Sequence, residues 1–263
     1  MAETKEETTE VAKPRDADQM GGFAKGLAVI EAFGQGRHAL TIAEAARLSG
    51  LDRATTRRCL LTLVKAGYAA TDGRYFELTP RILRLGHSYL AASMPRLIQP
   101  SLDQLADQLH QSCSASVLDG NEVVYIARAT QHRLMGVGLH PGSRLPAYCT
   151  SMGRVLLAAL PPEQARALMA SSERQKLTSR TLTDLDELMG ELDKVRAQGY
   201  AIIDQELELG SRSIAVPIRD LSRQTVAAFN VGVHAAHSTL ERLQEEFLPH
   251  LLNAQAQLAE ILP

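Results

Sequence analysis

Four bases, Arg53, Arg57, Arg58 and Lys65, stand within thirteen residues, interleaved with Ala54 and Thr55. Wound at about 100° per residue, that segment puts Thr56, Cys59, Leu60 and Leu63 on one face and Ala54, Arg58 and Lys65 on the other, with Arg53, Thr55 and Arg57 on the flanks. Cations on the first turns of a helix can enter a major groove, where an arginine bonds two acceptors of guanine and a threonine donates or accepts at base edges. Further on, Arg74 follows the turn pair Asp72-Gly73, from which it can reach backbone phosphate or the minor groove. The same pattern also describes an ordinary amphipathic helix with its arginines in water, so the neighbouring elements decide.

A second group of residues is unexpected in a plain core. Asn230 lies in Ala227-Ala-Phe-Asn-Val-Gly-Val233, where a buried amide without partners costs about 1 to 3 kcal/mol, so something must hydrogen-bond to it. Gly232, two residues on, shares its strand face and leaves room above a sheet. Ser213 and Asp204 fall in adjacent predicted strands, and Thr150 and Ser151 open a predicted helix whose free N–H groups can hold a carboxylate. Together they outline a small pocket with polar ends, although an edge-facing Asn, a solvated Asp and a routine N-cap explain each one singly.

Catalytic readings are weaker. Cys149 precedes a predicted helix N-terminus and His132 or His140 could act as a base, but no third orienting group is evident, so Cys149 reads as an unreactive, partly buried thiol. Gly210-Ser-Arg-Ser213 lacks the second glycine of a nucleophile elbow, and no phosphate-binding G-x-x-x-x-G-K-[ST] loop occurs. His234 and His237 have no cysteine or carboxylate cluster beside them. No enzyme activity, metal or cofactor is expected.

The elements around the cationic helix have a definite order. Leu27, Ile30 and Phe33, widened by Ala28 and Val29, predict a helix over residues 24–33, stopped by Gly34-Gln-Gly36. Thr41 and Glu44 form a capping box for a second helix, and Ser49-Gly50-Leu51 is a tight turn. Asp52 caps the cationic helix, which Gly67 ends. A helix-turn-helix results. Tyr68–Thr71 and Arg74–Leu78 then flank Asp72-Gly73, a signal for a hairpin with a two-residue type I′ turn, and a hairpin in that place is a wing. With no aromatic-rich sheet to stack bases, duplex DNA is favoured over single strands or RNA. Pro80 opens a further helix over 81–93 whose Ile82, Leu85 and Tyr89 form an apolar stripe that either joins two subunits or packs on the first helix.

From residue 97 the pattern predicts an α+β domain. A helix with Leu102, Leu105 and Leu109 precedes strands at 114–118, 122–127 and 134–139. Helices follow at 151–160, 162–170 and 184–198, then strands at 200–206, 211–218 and 225–233, and a final helix over 239–262. Strands separated by turns suggest an antiparallel sheet with helices packed on it.

Charge divides along the same lines. Residues 1–22 carry −3, residues 23–96 carry +6 and residues 97–263 carry −5, which together return the chain's −2. A basic segment joined to an acidic one suits a protein of which one part meets a polyanion. The 263 residues, 45% hydrophobic and 22% charged, are enough for one or two cores and exclude disorder throughout. Three scattered cysteines argue against a disulfide framework. With no apolar run of about 18 residues and no apolar stretch in the polar N-terminus, a cytoplasmic protein without membrane contact is expected. The boundaries read as a disordered tail over 1–22, a winged helix-turn-helix over 23–79, a linker helix over 80–95 and a ligand-binding and oligomerisation domain over 96–263.

These residues resemble the IclR family of bacterial transcription regulators. The resemblance covers about residues 23 to 260 and rests first on Thr41-Ile-Ala-Glu-Ala-Ala-Arg-Leu-Ser-Gly-Leu51 followed by Leu60-Leu-Thr-Leu63. The segments Gly142-Ser-Arg-Leu-Pro-Ala-Tyr-Cys-Thr-Ser-Met-Gly-Arg154 and Gly199-Tyr-Ala-Ile-Ile-Asp-Gln-Glu-Leu-Glu-Leu-Gly-Ser-Arg-Ser-Ile-Ala-Val-Pro217 are similar to the PcaR/PcaU/PobR branch. That branch senses aromatic acids or their ring-cleavage products, in the class of protocatechuate, 4-hydroxybenzoate or β-ketoadipate. The resemblance implies a GAF-like antiparallel sheet with helices and a homodimer or dimer of dimers on a palindromic or repeated duplex operator. It also implies control of aromatic catabolism genes, with RNA polymerase as a further partner. Carried over by motif, the effector positions fall near Asp204, Ser213, Asn230 and Gly232, with Cys149, Thr150, Ser151, Met152 and Gly153 at the pocket mouth. Glyoxylate-type members have serine at the two sheet positions held here by Asn230 and Gly232, which argues for a ligand larger than a two-carbon acid. Two other functions fit the residues: an enzyme with an accessory DNA-binding domain, and a constitutive DNA-binding protein whose second domain only oligomerises.

Overall fold

The computed structural model describes residues 20–34, 38–85, 93–130 and 138–262, in two compact units, Met1–Ser88 and Tyr89–Pro263. Residues 1–19 of the disordered tail expected over 1–22, residues 134–137 of the strand expected over 134–139, His132 and Tyr89 lie outside the described residues, and Gly21 and Gly22 of that tail open a helix instead.

In the first unit α1 (Gly21–Glu31) runs into a 3₁₀ turn, Ala32–Gly34. The short strand β1 (Ala39–Leu40) precedes α2 (Ile42–Ser49), and α3 (Arg53–Lys65) follows after Gly50, whose φ of 69° makes the turn. Thr41 and Glu44 form the full capping box of α2, and the Asp52 carboxylate accepts the Thr55 amide at 2.9 Å to cap α3. Val29, Ala32, Phe33, Leu40, Ala45, Leu60, Leu63, Ala69 and Phe76 make the core. The buried arc of α1 is therefore turned from the stripe expected at Leu27, which is 42% exposed. The wing strands are β2 (Ala69–Thr71) and β3 (Phe76–Leu78), and β1 pairs on the other side of β3 to make a third strand. Thr71 pairs with Phe76, so the loop has four residues and not the two expected. Only Gly73 has positive φ, whereas a type I′ turn needs two such residues; the Asp72 carboxylate instead closes the loop by accepting the amides of Arg74 and Tyr75 at 2.8 and 2.7 Å. Past the wing, Pro80–Ile82 form a 3₁₀ turn, and the linker helix can be followed only to Leu85.

The described residues of the second unit begin with α4 (Ser93–Leu109), which runs through Met94-Pro95, where the sequence predicts an interruption. A six-stranded antiparallel sheet follows, in the order β6 (Arg144–Pro146), β5 (Glu122–Ala129), β4 (Ser112–Asp119), β9 (Thr225–His234), β8 (Ser211–Arg219), β7 (Ala201–Asp204). Alternation sends Cys113, Ala115, Ile214, Val216, Phe229 and Val231 to one face, under α4 and the C-terminal helix. Ala201, Ala215 and Ala228 go to the other, under α5 (Ser151–Ala158), α6 (Pro162–Ala170) and α7 (Leu185–Gln198). The C-terminal helix departs from its expected regularity: Leu240–Arg242 lead into a π turn, Leu243–Phe247, before α8 (Leu248–Ala259). Pro249 has no N–H for the carbonyl four residues back, and the wide turn absorbs that break while burying Leu243 and Phe247. Among the described residues no helix is long and apolar enough to cross a membrane.

Candidate functional site

On α3, Thr56, Leu60 and Leu63 are buried and Cys59 is half-buried, while Arg53, Arg57, Arg58 and Lys65 are exposed and Thr55 half-exposed. Arg74 is exposed at the wing tip, its guanidinium 5.2 Å from the centroid of the Tyr75 ring. The hydrogen bond from the Thr55 amide holds the Asp52 carboxyl below its usual range, and the amides of Tyr75 and Arg74 do the same for Asp72. Both acids are thus engaged by backbone and leave the neighbouring arginines free for other partners.

The second site is built by register. β4 sets Ser114 opposite Arg128 on one side and Asn230 on the other, and Asn230 faces Ala215; the next row is Ser112, Gly232 and Ser213, with Ile203 beyond. Partners directly across antiparallel strands share a face, so all of these point to the side that α5 covers. The next row in the opposite direction is already filled, since Ser116 Oγ donates to Met152 Sδ at 3.3 Å. Above Gly232 there is open space: a Cβ placed there would meet nothing within 4 Å. Small side chains form the floor, and Arg128 and Asn230, both half-exposed, rise from it. Arg128 donates to Ser114 Oγ at 2.9 Å and to Thr130 Oγ1 at 3.1 Å, and it meets no carboxylate among the described residues. Among the described residues Asn230 makes no side-chain hydrogen bond.

This arrangement brings Ser213, Asn230 and Gly232 together and leaves Asp204 out. Asp204 pairs with Arg212, one residue out of phase with Ser213, and therefore lies on the opposite face, where Arg212 and Arg180 bind both its oxygens. Burial raises its pKa, but the hydrogen bonds from Arg212 and Gln205 and the two arginine charges outweigh this and hold it below the usual range. Asp204 is a structural anchor.

The segment expected at the pocket mouth is buried. Cys149, Thr150, Ser151 and Met152 are all under 7% exposed, and burial pushes the Cys149 thiol up to about 12, so it is unreactive. His140 is exposed, with Nδ1 2.9 Å from the Pro141 carbonyl, and does not face the thiol as a free base would. At the N-terminus of α5 the Thr150 hydroxyl already accepts the Gly153 amide at 3.2 Å, and a Cβ on Gly153 would fall 2.2 Å from the Ala147 carbonyl. That end of the helix is closed by its own chain, and among the described residues the Ser151 hydroxyl there has no hydrogen-bond partner. The cation on this face is Arg128, a residue that sequence reading missed. Its signal was present: an arginine directly after the run Val123-Val-Tyr-Ile-Ala127, next to a strand with serine at every second position, Ser112-Cys-Ser-Ala-Ser116. Among the described residues no three potential metal ligands cluster.

The comparisons with known proteins agree with this two-part design. Residues 23–73 match the IclR helix-turn-helix domain, and residues 90–260 match the bacterial transcriptional regulator IclR C-terminal domain. The chain belongs to the IclR family. It is 48% identical over 250 residues to the Pca regulon regulatory protein of Pseudomonas putida, covering 94% of this chain and 86% of that one. A transcriptional regulator structure from Rhodococcus sp. RHA1 superimposes with a TM-score of 0.78 at 46% identity, covering 92% of this chain and 98% of the other. The inducer-binding domain of a double mutant of PobR from Acinetobacter, solved with 3-hydroxybenzoic acid, matches 64% of this chain and 98% of its own at 34% identity and a TM-score of 0.61. As an IclR-family member the chain is a ligand-responsive transcription regulator with DNA-binding and effector-binding domains, and not an enzyme.

Proposed function

We propose that the chain works in the cytoplasm as an oligomer on a palindromic or repeated operator and governs access of RNA polymerase to aromatic catabolism genes. On this reading Arg53, Thr55, Arg57, Arg58 and Lys65 face the major groove and Arg74 reaches phosphate from the wing. Its effector is an aromatic acid or a ring-cleavage product, held on the sheet face between Arg128 and Asn230.

The observation that carries the effector reading is the open space above Gly232, bounded by an arginine and an amide that have, among the described residues, no carboxylate partner and no side-chain hydrogen bond respectively. Arginine binds a carboxylate through two parallel N–H donors, the amide serves a hydroxyl or keto oxygen, and the small floor admits a ring. The Pseudomonas relative is named for a pca regulon, and the PobR domain holds a hydroxybenzoic acid, which supports this ligand class. Titration calorimetry against benzoate, 4-hydroxybenzoate, protocatechuate and β-ketoadipate is the test. One acid should bind wild type, and Arg128→Gln or Asn230→Leu should weaken it by about tenfold or more, near 1.4 kcal/mol. Equal binding by both variants would place the ligand elsewhere.

A further inference from the structure

The chain leaving the wing folds back on the junction between α3 and β2. α3 ends in a Schellman motif: the Gly67 amide donates to the Val64 carbonyl at 3.0 Å and the Tyr68 amide to the Leu63 carbonyl at 2.8 Å, with Gly67 at φ 79°. Thr79 closes on the same two residues. Its amide donates to the Tyr68 carbonyl at 2.9 Å and its hydroxyl to the Gly67 carbonyl at 2.6 Å. Two residues later the Arg81 guanidinium lies 5.2 Å from the centroid of the Tyr68 ring, and its Nη1 is 3.0 Å from where a Gly67 Cβ would stand. The first turn of the linker is therefore tied at several points to the last turn of the helix that carries the cationic face.

We propose that this turn is the coupling element of the regulator. Arg81, acting through Tyr68, is a positioning residue that sets α3 and the wing for DNA, and it relays to them the state of the chain that follows. Along the chain, Thr79–Ile82 follow the wing and lead into the linker, so a latch at that point links the first turn of the linker to the end of the recognition helix. A surface cation–π contact shifts an equilibrium by about two- to fivefold, the scale of a modest regulatory coupling.

The test uses the full chain and a labelled duplex from its own upstream region, with anisotropy measured over a salt series. Arg81→Ala and Tyr68→Leu should each weaken operator binding by about threefold or more without changing the salt slope, whereas Arg81→Lys and Tyr68→Phe, which keep the contact, should stay within about twofold. The double variant should be no weaker than either single one. A slope reduced by about one unit in Arg81→Ala, as expected of Arg74→Ala, would make Arg81 a phosphate contact and overturn the latch. Additive losses in the double variant would overturn it as well. In a second arm, whichever of protocatechuate, 4-hydroxybenzoate or β-ketoadipate shifts operator affinity of the wild type is added. Arg81→Ala should bind that acid normally by calorimetry yet show a smaller shift on DNA, and a full shift would defeat the coupling. If the wild type answers to none of the acids, the effector reading fails, and the first arm by itself decides the latch. Urea midpoints report whether each variant is folded, and the two conservative variants keep the comparison valid should an alanine variant unfold.

Discussion

Gly232 and Asp204 lie on the same sheet, and one residue of phase separates a face with open space from one closed by ion pairs. Because nothing lies within 4 Å of a Cβ at 232, Gly232→Val should fold with stability within about 1 kcal/mol of wild type, helped by the preference of valine for strands. It should still lose the acid by tenfold or more in calorimetry; a valine variant that binds normally would show that the space is not the ligand's. Asp204 gives the opposite expectation. Its carboxyl sits below the ordinary value of 3.8 in the folded state, so its contribution is complete above that pH and is lost as pH falls through the lower folded value. Asp204→Asn should therefore lower the melting temperature at pH 7, the gap to wild type should close as pH falls through the lowered folded value, and acid binding at pH 7 should be kept. A gap that persists unchanged at pH 2 would remove the ion pairs as its cause. The residue types of both were visible in the sequence, but the face was not: a strand assignment correct to one residue is needed to tell Ser213 from Arg212, and nothing local fixes that phase. Arg128 went unread for a related reason, since its role exists only once β4 and β5 are paired.

At the scale of elements, the parts with local chemistry were legible. The capping box at Thr41 and Glu44, Asp52 as an N-cap and Gly67 as a left-handed terminator were readable because each motif completes itself within a few residues. The wing turn and the last helix were misjudged where a nearby side chain overrode the local rule, Asp72 in one and Pro249 in the other. Helix α5 shows what sequence could not give, a long-range anchor. Arg154, 3% exposed, donates to the Tyr148 carbonyl at 3.0 Å and to Glu206 at 2.7 Å, and the Glu206 carboxylate also accepts the Leu182 amide at 3.1 Å. This pair joins the helix to the segment after β7, 52 residues away in sequence. Removing one partner of a buried pair leaves an uncompensated charge, so Glu206→Gln should destabilise the domain by about 3 to 5 kcal/mol, and Arg154→Met with Glu206→Leu should recover much of it. Urea unfolding of the three proteins measures this; a loss under about 1 kcal/mol for Glu206→Gln would mean that water reaches the pair.

For the whole molecule, the charge division of the sequence now coincides with two units of different work, a basic reader and an acidic sensor, connected through the turn at Thr79–Ile82. Such a design gains from being doubled. A single α3 offers four exposed bases to one stretch of groove, and two copies on a two-fold axis would read two half-sites and multiply selectivity. The first unit exposes apolar side chains that a lone subunit has no use for: Leu83 and Leu85 at the start of the linker are 68% and 55% exposed. Ile82 is half-buried, and the stripe expected through Tyr89 continues outside the described residues. Packing onto α1 within the subunit, the other reading of this stripe, does not cover Leu85. Leu85→Glu places a charge in the seam that a second copy would close, where desolvating it costs several kcal/mol. The variant should keep its urea midpoint, scatter light as a smaller species than wild type, and bind a half-site duplex about as well as the full operator. A folded Leu85→Glu protein of wild-type mass would remove this stripe from the interface and leave oligomerisation to the sensor unit.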